Sequence, residues 1–281
     1  MGNGSWILVH SASDMSVITK KQGQLEYLVA EDIHVPHCFT TRLGGVSTGY
    51  LASLNLGLRR GDDPENVAEN FRILGQAVGF SPEDLVSTRQ THSDIVLAVG
   101  HAQRGSALVE GASPESDALI TNDPGTALVV FTADCTPILL WDPVTGAVGA
   151  VHAGWRGTAA AIGEKTVAAM VRNYGCRPED IRAAIGPNIG WCHFETDADV
   201  PQAMRRTCGD AADAWIRKSG DKYYVDLKQI NALILRRAGV THIEISQHCT
   251  MCQPDRFWSH RVTGGHRGAQ GAVIVCKERK L

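Results

Sequence analysis

The chain has 281 residues, 43% of them hydrophobic and 20% charged, and a formal net charge of -3. That is ample material for a packed core and offers no general attraction to nucleic acid or an anionic membrane surface. Its eight cysteines are spread through a chain long enough to need no staples, so a reduced, cytoplasmic protein is expected, in which a special cysteine is metal-bound or catalytic.

Residues 1–10 lack the basic start and unbroken apolar run of a secretory signal, and no segment approaches the roughly 18–20 apolar residues of a membrane span. The first thirty residues have weak periodicity and read as a peripheral strand or two. Asp63 and Pro64 open a helix, Val67, Phe71, Leu74 and Val78 follow at helical spacing, and Gly79 ends it. A second helix is expected from Gly157 to Asn173, stopped by Gly175, and a third from Asp226 to Ala238, stopped by Gly239.

Short β-branched runs predict strands at Ile95–Val99, Ala118–Thr121, Leu128–Thr132, Ile138–Trp141, Val148–His152, Ile181–Ile185, Ile243–Ser246 and Val273–Cys276. Asp142, Pro143, Thr145 and Gly146 suggest a hairpin between the fourth and fifth. Hairpins combined with intervening helices imply a mixed sheet and an α+β fold. With no repeat, linker or low-complexity tract, residues 1–281 read as one domain with 1–30 at its periphery.

The stretch from Phe131 to Thr158, FTADCTPILLWDPVTGAVGAVHAGWRGT, carries the most chemistry. It puts Cys135 and His152 at the same end of the expected hairpin, flanked by Asp134 and Arg156. A lone buried Cys or a lone strand-end His is usually structural; the pair is more informative. His92, in Thr88–Asp94, starts the strand at Ile95. A thiolate with two imidazoles suits a three-ligand catalytic zinc that lowers the pKa of a bound water to about 7. A Cys135 nucleophile activated by His152 fits the same residues, and their spacing does not separate the two chemistries.

Other candidates are weaker. Cys249-Thr-Met-Cys252 is a single C-x-x-C pair whose simplest reading is two ordinary reduced cysteines. His34 and His37 sit in a loop-like segment suited to capping. The Arg42-Leu-Gly-Gly loop and the Gly-rich segment from Phe257 to Gly268, with two arginines and two histidines, are suited to an anion.

Taken together, TRLGGVS, SLNLG, QTHS, SDALIT, TADCTPILL, AVHAGWRGT, IGPNIGWCHFE, and a CT followed by FWSHR resemble the YfiH-like purine nucleoside phosphorylase family, formerly called multicopper polyphenol oxidases or laccases. The likeness runs from about Thr41 to Val275. It implies layered mixed sheets flanked by helices, as in the cytotoxic necrotising factor catalytic domain, and zinc on His92, Cys135 and His152. It implies phosphorolysis of adenosine, inosine, guanosine and methylthioadenosine, and deamination of adenosine. Purine nucleosides and phosphate are then the partners. Arg42 and Arg261 are expected to hold phosphate bidentately, Asn55 to contact nucleoside, and Asp134 to orient a ligand or move a proton. The alternatives are a Cys-His amidohydrolase editing peptidoglycan precursors, a metal-binding protein without turnover, and a copper-dependent polyphenol oxidase. None of the eleven histidines forms the His-X-His pairs of coupled copper centres, although copper competes well for a single Cys-His-His site. Trp258, His260 and His266 depart from the family's usual residues near the C-terminus.

Overall fold

The computed structural model describes residues 17–278. Along the chain, β1 (Val17–Gln22), β2 (Leu25–Ala30) and β3 (His37–Thr40) precede α1 (Pro64–Val78), β4 (Leu85–Val86), β5 (Val96–Ala98), β6 (Ala118–Thr121), β7 (Ala127–Thr132), β8 (Thr136–Trp141) and β9 (Val148–Ala153). There follow α2 (Trp155–Ala159), α3 (Ile162–Tyr174), β10 (Arg182–Ile185), β11 (Glu195–Thr196) and α4 (Asp199–Cys208). The chain ends with β12 (Ile216–Ser219), β13 (Lys222–Val225), α5 (Leu227–Arg237), β14 (His242–Ile245), α6 (His260–Thr263) and β15 (Gln270–Val275).

Two six-stranded mixed sheets, ordered β1-β2-β3-β15-β7-β4 and β14-β10-β8-β9-β6-β5, pack face to face, and a small sheet of β11, β13 and β12 lies apart from them. Leu28, Phe39, Leu128, Val130 and Ile274 of the first sheet meet Leu119, Leu139, Val148 and Ala150 of the second in a dry interior. The outer face of the first sheet is covered by α1 through Val67, Phe71 and Leu74. α3 and α5 cover the second through Ile162, Val167, Met170 and Leu235. Since strand side chains alternate between faces, each sheet is apolar on both, which is why its strands read as nearly continuous hydrophobic runs.

Helix α1 begins and ends as its sequence requires: the Asp63 carboxylate accepts from the Glu65 amide, and Gly79 turns left-handed at φ 98°. Asp226 caps α5 in the same way, accepting from Gln229 N–H. The single helix expected from Gly157 to Asn173 is instead two, α2 and α3, broken where Ala161 adopts φ 56°. Alanine gives no warning of such a break; α3 packs on the second sheet through Ile162, Val167 and Met170, whereas Trp155, Ala159 and Ala161 pack against the cluster of Met204 and Val225. Residues 17–30, expected at the periphery, form β1 and β2 at one edge of the first sheet, with Leu28 inside the core; residues 1–16 lie outside the described residues. Helix α4 and the three-stranded sheet had no counterpart in the sequence reading.

Candidate metal centre

The β8–β9 hairpin pairs Pro137 with His152 and Thr136 with Ala153, so Cys135, just before β8, lies at the same end as His152. By alternation, Cys135 and Pro137 share the face of Leu139, and His152 shares that of Val148 and Ala150. Both faces look into the space between the sheets, at the end where the sandwich opens. Next to β9 runs β6, and the register Ala118↔Val151 sets Asp117 opposite His152. The His152 amide donates to the Asp117 carbonyl at 2.7 Å. The imidazole Nδ1 reaches the Asp117 carboxylate at 2.7 Å as well.

That same carboxylate organises the loop carrying His92. It accepts from the amides of Thr91 at 3.2 Å, His92 at 3.1 Å and Ser93 at 2.6 Å, and from the Ser93 hydroxyl at 2.7 Å. These bonds hold His92 at φ 60°, a backbone state that costs a non-glycine residue energy. The His92 and His152 rings meet edge to face at 5.0 Å, and His92 Nε2 lies 3.8 Å from Cys135 Sγ. One ligand atom from each of the three lies within 4.8 Å of the others. Gly154 leaves the space for this: a Cβ there would sit 2.9 Å from His92 Cδ2 and 3.2 Å from Cys135 Sγ.

The charges are strongly coupled. Burial pushes the Cys135 thiol up, but the positive charge and hydrogen bond of His152, followed by those of His92, outweigh it and bring the thiol down to about 6. Burial disfavours a charged His152, yet the Cys135 thiolate and Asp117 together raise it to about 9. Desolvation works against an ionised Asp117 too, and its bonds to His152 and Ser93 hold it well below the usual carboxylate range. A thiolate, an imidazolium and a carboxylate thus line up in the metal-free protein. With Nδ1 tied to Asp117, Nε2 of His152 is the nitrogen left for a ligand role.

A cavity of about 270 Å³ opens on Cys135, His92 and His152. Leu58, Val109 and Phe131 give it an apolar wall, and Arg60, Arg89 and Arg267 bring positive charge. Arg89 is paired with Glu115, whereas neither Arg60 nor Arg267 makes an ion pair among the described residues. Burial, then repulsion from Arg60, lowers Arg267 to about 10. The Arg267 Nε and the Thr88 hydroxyl are buried beside the cavity with no hydrogen-bond partner among the described residues.

The other residues singled out from sequence lie elsewhere; Arg42, Asn55, Asp134 and Arg261 do not line this cavity. Arg42 stacks on Trp258 at 3.9 Å and gives its N–H groups to the carbonyls of Ala52 and Pro254. Asn55 is wholly buried, accepting from the amides of Gly57 and Ala269 and donating to Asp62. Asp134, at φ 84°, accepts from the Thr250 hydroxyl at 2.6 Å and the Arg261 amide at 2.7 Å, and so fixes the turn that presents Cys135. The Arg261 side chain is exposed and donates to the Glu195 carbonyl. His37 is buried, bonded to Ala30 N–H and the Val35 carbonyl. Sequence reasoning does not single out Asp117, although it lies inside the SDALIT motif, or Arg60; Arg267 is one of the two arginines of the Gly-rich segment suited to an anion, but the phosphate role falls there to Arg261.

The family described as multi-copper polyphenol oxidoreductase laccase matches residues 36–277 of this sequence. The chain belongs to this family. It is 41% identical over 256 residues to a purine nucleoside phosphorylase of Deinococcus radiodurans, an alignment covering 91% of this chain and 95% of the relative. Its fold is similar to that of the hypothetical protein YfiH of Bacillus licheniformis, with a TM-score of 0.88 and 33% identity over 92% of this chain and 99% of the other. YlmD of Geobacillus stearothermophilus is equally similar, at TM-score 0.87 and 36% identity over 93% of this chain and 100% of that one. The single α+β architecture read from the sequence is therefore that of the family. Among the described residues no helix is long and apolar enough to cross a membrane.

Proposed function

We propose that this protein is a cytoplasmic, zinc-dependent purine nucleoside enzyme. It phosphorolyses adenosine, inosine, guanosine and methylthioadenosine, and it deaminates adenosine. The reading is supported above all by the convergence of one thiol and two imidazoles at the mouth of a cavity that also holds two arginines with no ion pair among the described residues. It is supported too by the name carried by the Deinococcus relative.

The residues fit a metal. His92, Cys135 and His152 offer two nitrogens and one sulfur in the three-ligand pattern of catalytic zinc sites, Gly154 leaves their atoms room to converge, and Asp117 fixes the His152 tautomer. Copper suits the same donors. When bound, such a cation acts as a Lewis acid and can bring a water to a pKa of about 7.

The chain's own contribution is positioning. Arg60 and Arg267 hold the phosphate dianion by charge-assisted hydrogen bonds, in place of the Arg42 and Arg261 expected from sequence, which do not line the cavity; Arg267 also donates to its neighbour Gly268's carbonyl at 2.8 Å. Phe131, Leu58 and Val109 shelter the flat purine from water. With both partners so held, a phosphate oxygen bonds to C1′ as the C1′–N9 bond breaks and the purine leaves with the electron pair. In deamination, water adds at C6 of adenine and ammonia leaves. Asp134 acts as a positioning residue for the Cys135 turn, and Asn55 acts as a brace for Gly57 and Ala269.

Metal content and inosine phosphorolysis, measured side by side on wild type and His92→Ala, test the reading. Loss of one zinc equivalent together with activity is expected; a variant that keeps full phosphorolysis without that zinc would sink it. One observation favours a second reading, a Cys-His amidohydrolase acting on peptidoglycan precursors: the Asp117–His152–Cys135 line with its thiol near 6. A covalent Cys135 adduct formed by metal-free, active protein would select that reading.

A further inference from the structure

A second cluster of metal-ligating side chains lies outside the cavity. Cys192 and His193 occupy the turn between β10 and β11, and Cys249 and Cys252 the turn after β14. The two turns are stitched together by a parallel bridge between Asn188 and Cys249, with the Thr250 amide donating to the Asn188 carbonyl at 2.9 Å. They bring three sulfurs around one imidazole nitrogen: His193 Nδ1 is 3.2 Å from Cys192 Sγ, 3.4 Å from Cys252 Sγ and 3.8 Å from Cys249 Sγ. Cys192 and Cys252 are 3.6 Å apart, and one ligand atom from each of the four residues lies within 4.8 Å of the others.

Hydrogen bonding does not account for this arrangement. A ring nitrogen has one proton to give or one lone pair to share, so three sulfur contacts around it exceed its capacity. Nor does a disulfide, whose sulfurs would be about 2.0 Å apart. A shared cation does. With metal–sulfur bonds of about 2.3 Å and a metal–nitrogen bond of about 2.0–2.1 Å, a tetrahedron has sulfur–sulfur edges of about 3.8 Å and nitrogen–sulfur edges of about 3.5 Å. The four edges given above scatter around these two values.

We propose that Cys192, His193, Cys249 and Cys252 form a second metal site, a closed Cys3His centre for zinc that pins the turn after β10 to the turn after β14. Its surroundings suit the charge. Three thiolates and one dication sum to -1, and Lys228 of α5 is buried nearby with its ammonium bonded to the His248 carbonyl at 2.7 Å and within electrostatic reach of all three cysteines. The Gly190 amide donates to Cys249 Sγ at 3.2 Å, as outer hydrogen bonds to ligating thiolates do. Gly190 also leaves the space the site needs, since a Cβ there would lie 3.1 Å from Cys249 Cβ and 3.3 Å from Cys192 Sγ. Four protein ligands fill the shell, so the site is structural where the His92 centre keeps an open position. Both turns also lead to Asp134, through the Ile189 amide on its carbonyl and the Thr250 hydroxyl on its carboxylate.

The test is zinc counting on the full chain, purified under reducing conditions, loaded with zinc chloride and desalted. Two zinc per chain are expected in wild type, one in Cys192→Ser/Cys252→Ser and one in His92→Ala. Replacing zinc by cobalt gives a readout that needs no cysteine variant: intense thiolate-to-cobalt absorption characteristic of several sulfurs persists in His92→Ala. Wild type binding only the zinc that His92→Ala removes would overturn the proposal, as would a double variant that retains both equivalents or a Cys192–Cys252 disulfide in the reduced preparation. Should His92→Ala lose nothing while the double variant loses the only zinc, the second site stands and the proposed catalytic centre falls.

Discussion

The His92–Cys135–His152 centre and the Cys192–His193–Cys249–Cys252 cluster draw on the same two ligand types and hold them by different means. In the first, strand register sets two ligands side by side, and one buried carboxylate, Asp117, fixes both the third ligand's loop and the His152 ring. In the second, two surface turns joined by a single bridge supply all four. Strands deliver few ligands rigidly and leave a cavity beside them. Turns can wrap until the shell is full.

The largest effect should come from removing what makes the first centre rigid. Asp117→Ala orphans three amides and a hydroxyl and leaves a buried His152 without its partner, a loss of about 3–5 kcal/mol by analogy with broken buried pairs. Urea unfolding of the metal-free protein measures it, and Cys252→Ser, at an exposed position, should lower that stability by less than about 1 kcal/mol. Equal losses would mean that the two clusters are held alike. Gly154→Ala should weaken metal binding at the first centre about 10–100-fold, as changes just outside a ligand shell do, by pressing a methyl against His92 Cδ2 at 2.9 Å. Gly190→Ala, whose nearest contact would be 3.1 Å, should weaken the second less, because that approach is longer; competition with a chelator reads both. Arg267→Ala should raise the KM for phosphate about 10-fold or more, from the loss of one charged hydrogen bond, with a smaller change for nucleoside. An unchanged phosphate KM would move the anion site elsewhere.

The smallest effect concerns protons. In metal-free protein Cys135 loses its proton near 6, and His152 keeps its own until about 9. Zinc needs both deprotonated. Binding should therefore release about two protons from this pair below pH 6, about one between 6 and 9, and none well above 9, measured by zinc titration with a pH indicator. Alkylation of Cys135 should accordingly fall as pH drops through 6.

Much of the scaffold was legible because its strands are short β-branched runs bounded by turn residues, and because α1 carries its own start and stop signals in Asp63, Pro64 and Gly79. Helix α4 and the small sheet were not, since β12 is largely exposed and offers no apolar alternation. The split between α2 and α3 hides in alanines. At the site, Cys135 and His152 could be paired from the hairpin, and His92 stood out at a strand start, its place as the third ligand coming from the resemblance. Asp117 was invisible because its role depends on the β6–β9 register. Arg261 and Arg267 are indistinguishable in a Gly-rich segment until the turn decides which one enters the cavity. The Cys249–Cys252 pair looked ordinary because its partners lie about 60 residues earlier in the chain.

The position of β15 has a consequence for how the protein is made. This strand, buried at all six residues, lies between β3 and β7 in the middle of the first sheet, although it follows every other strand of the described residues. Until the ribosome has released Gln270–Val275, β3 and β7 have no neighbour between them. Their bare edges are then the kind that pair with other chains. Translation through Val275 must therefore precede closure of the sandwich, and a chain cut short before β15 is a candidate for chaperone capture rather than a smaller working protein.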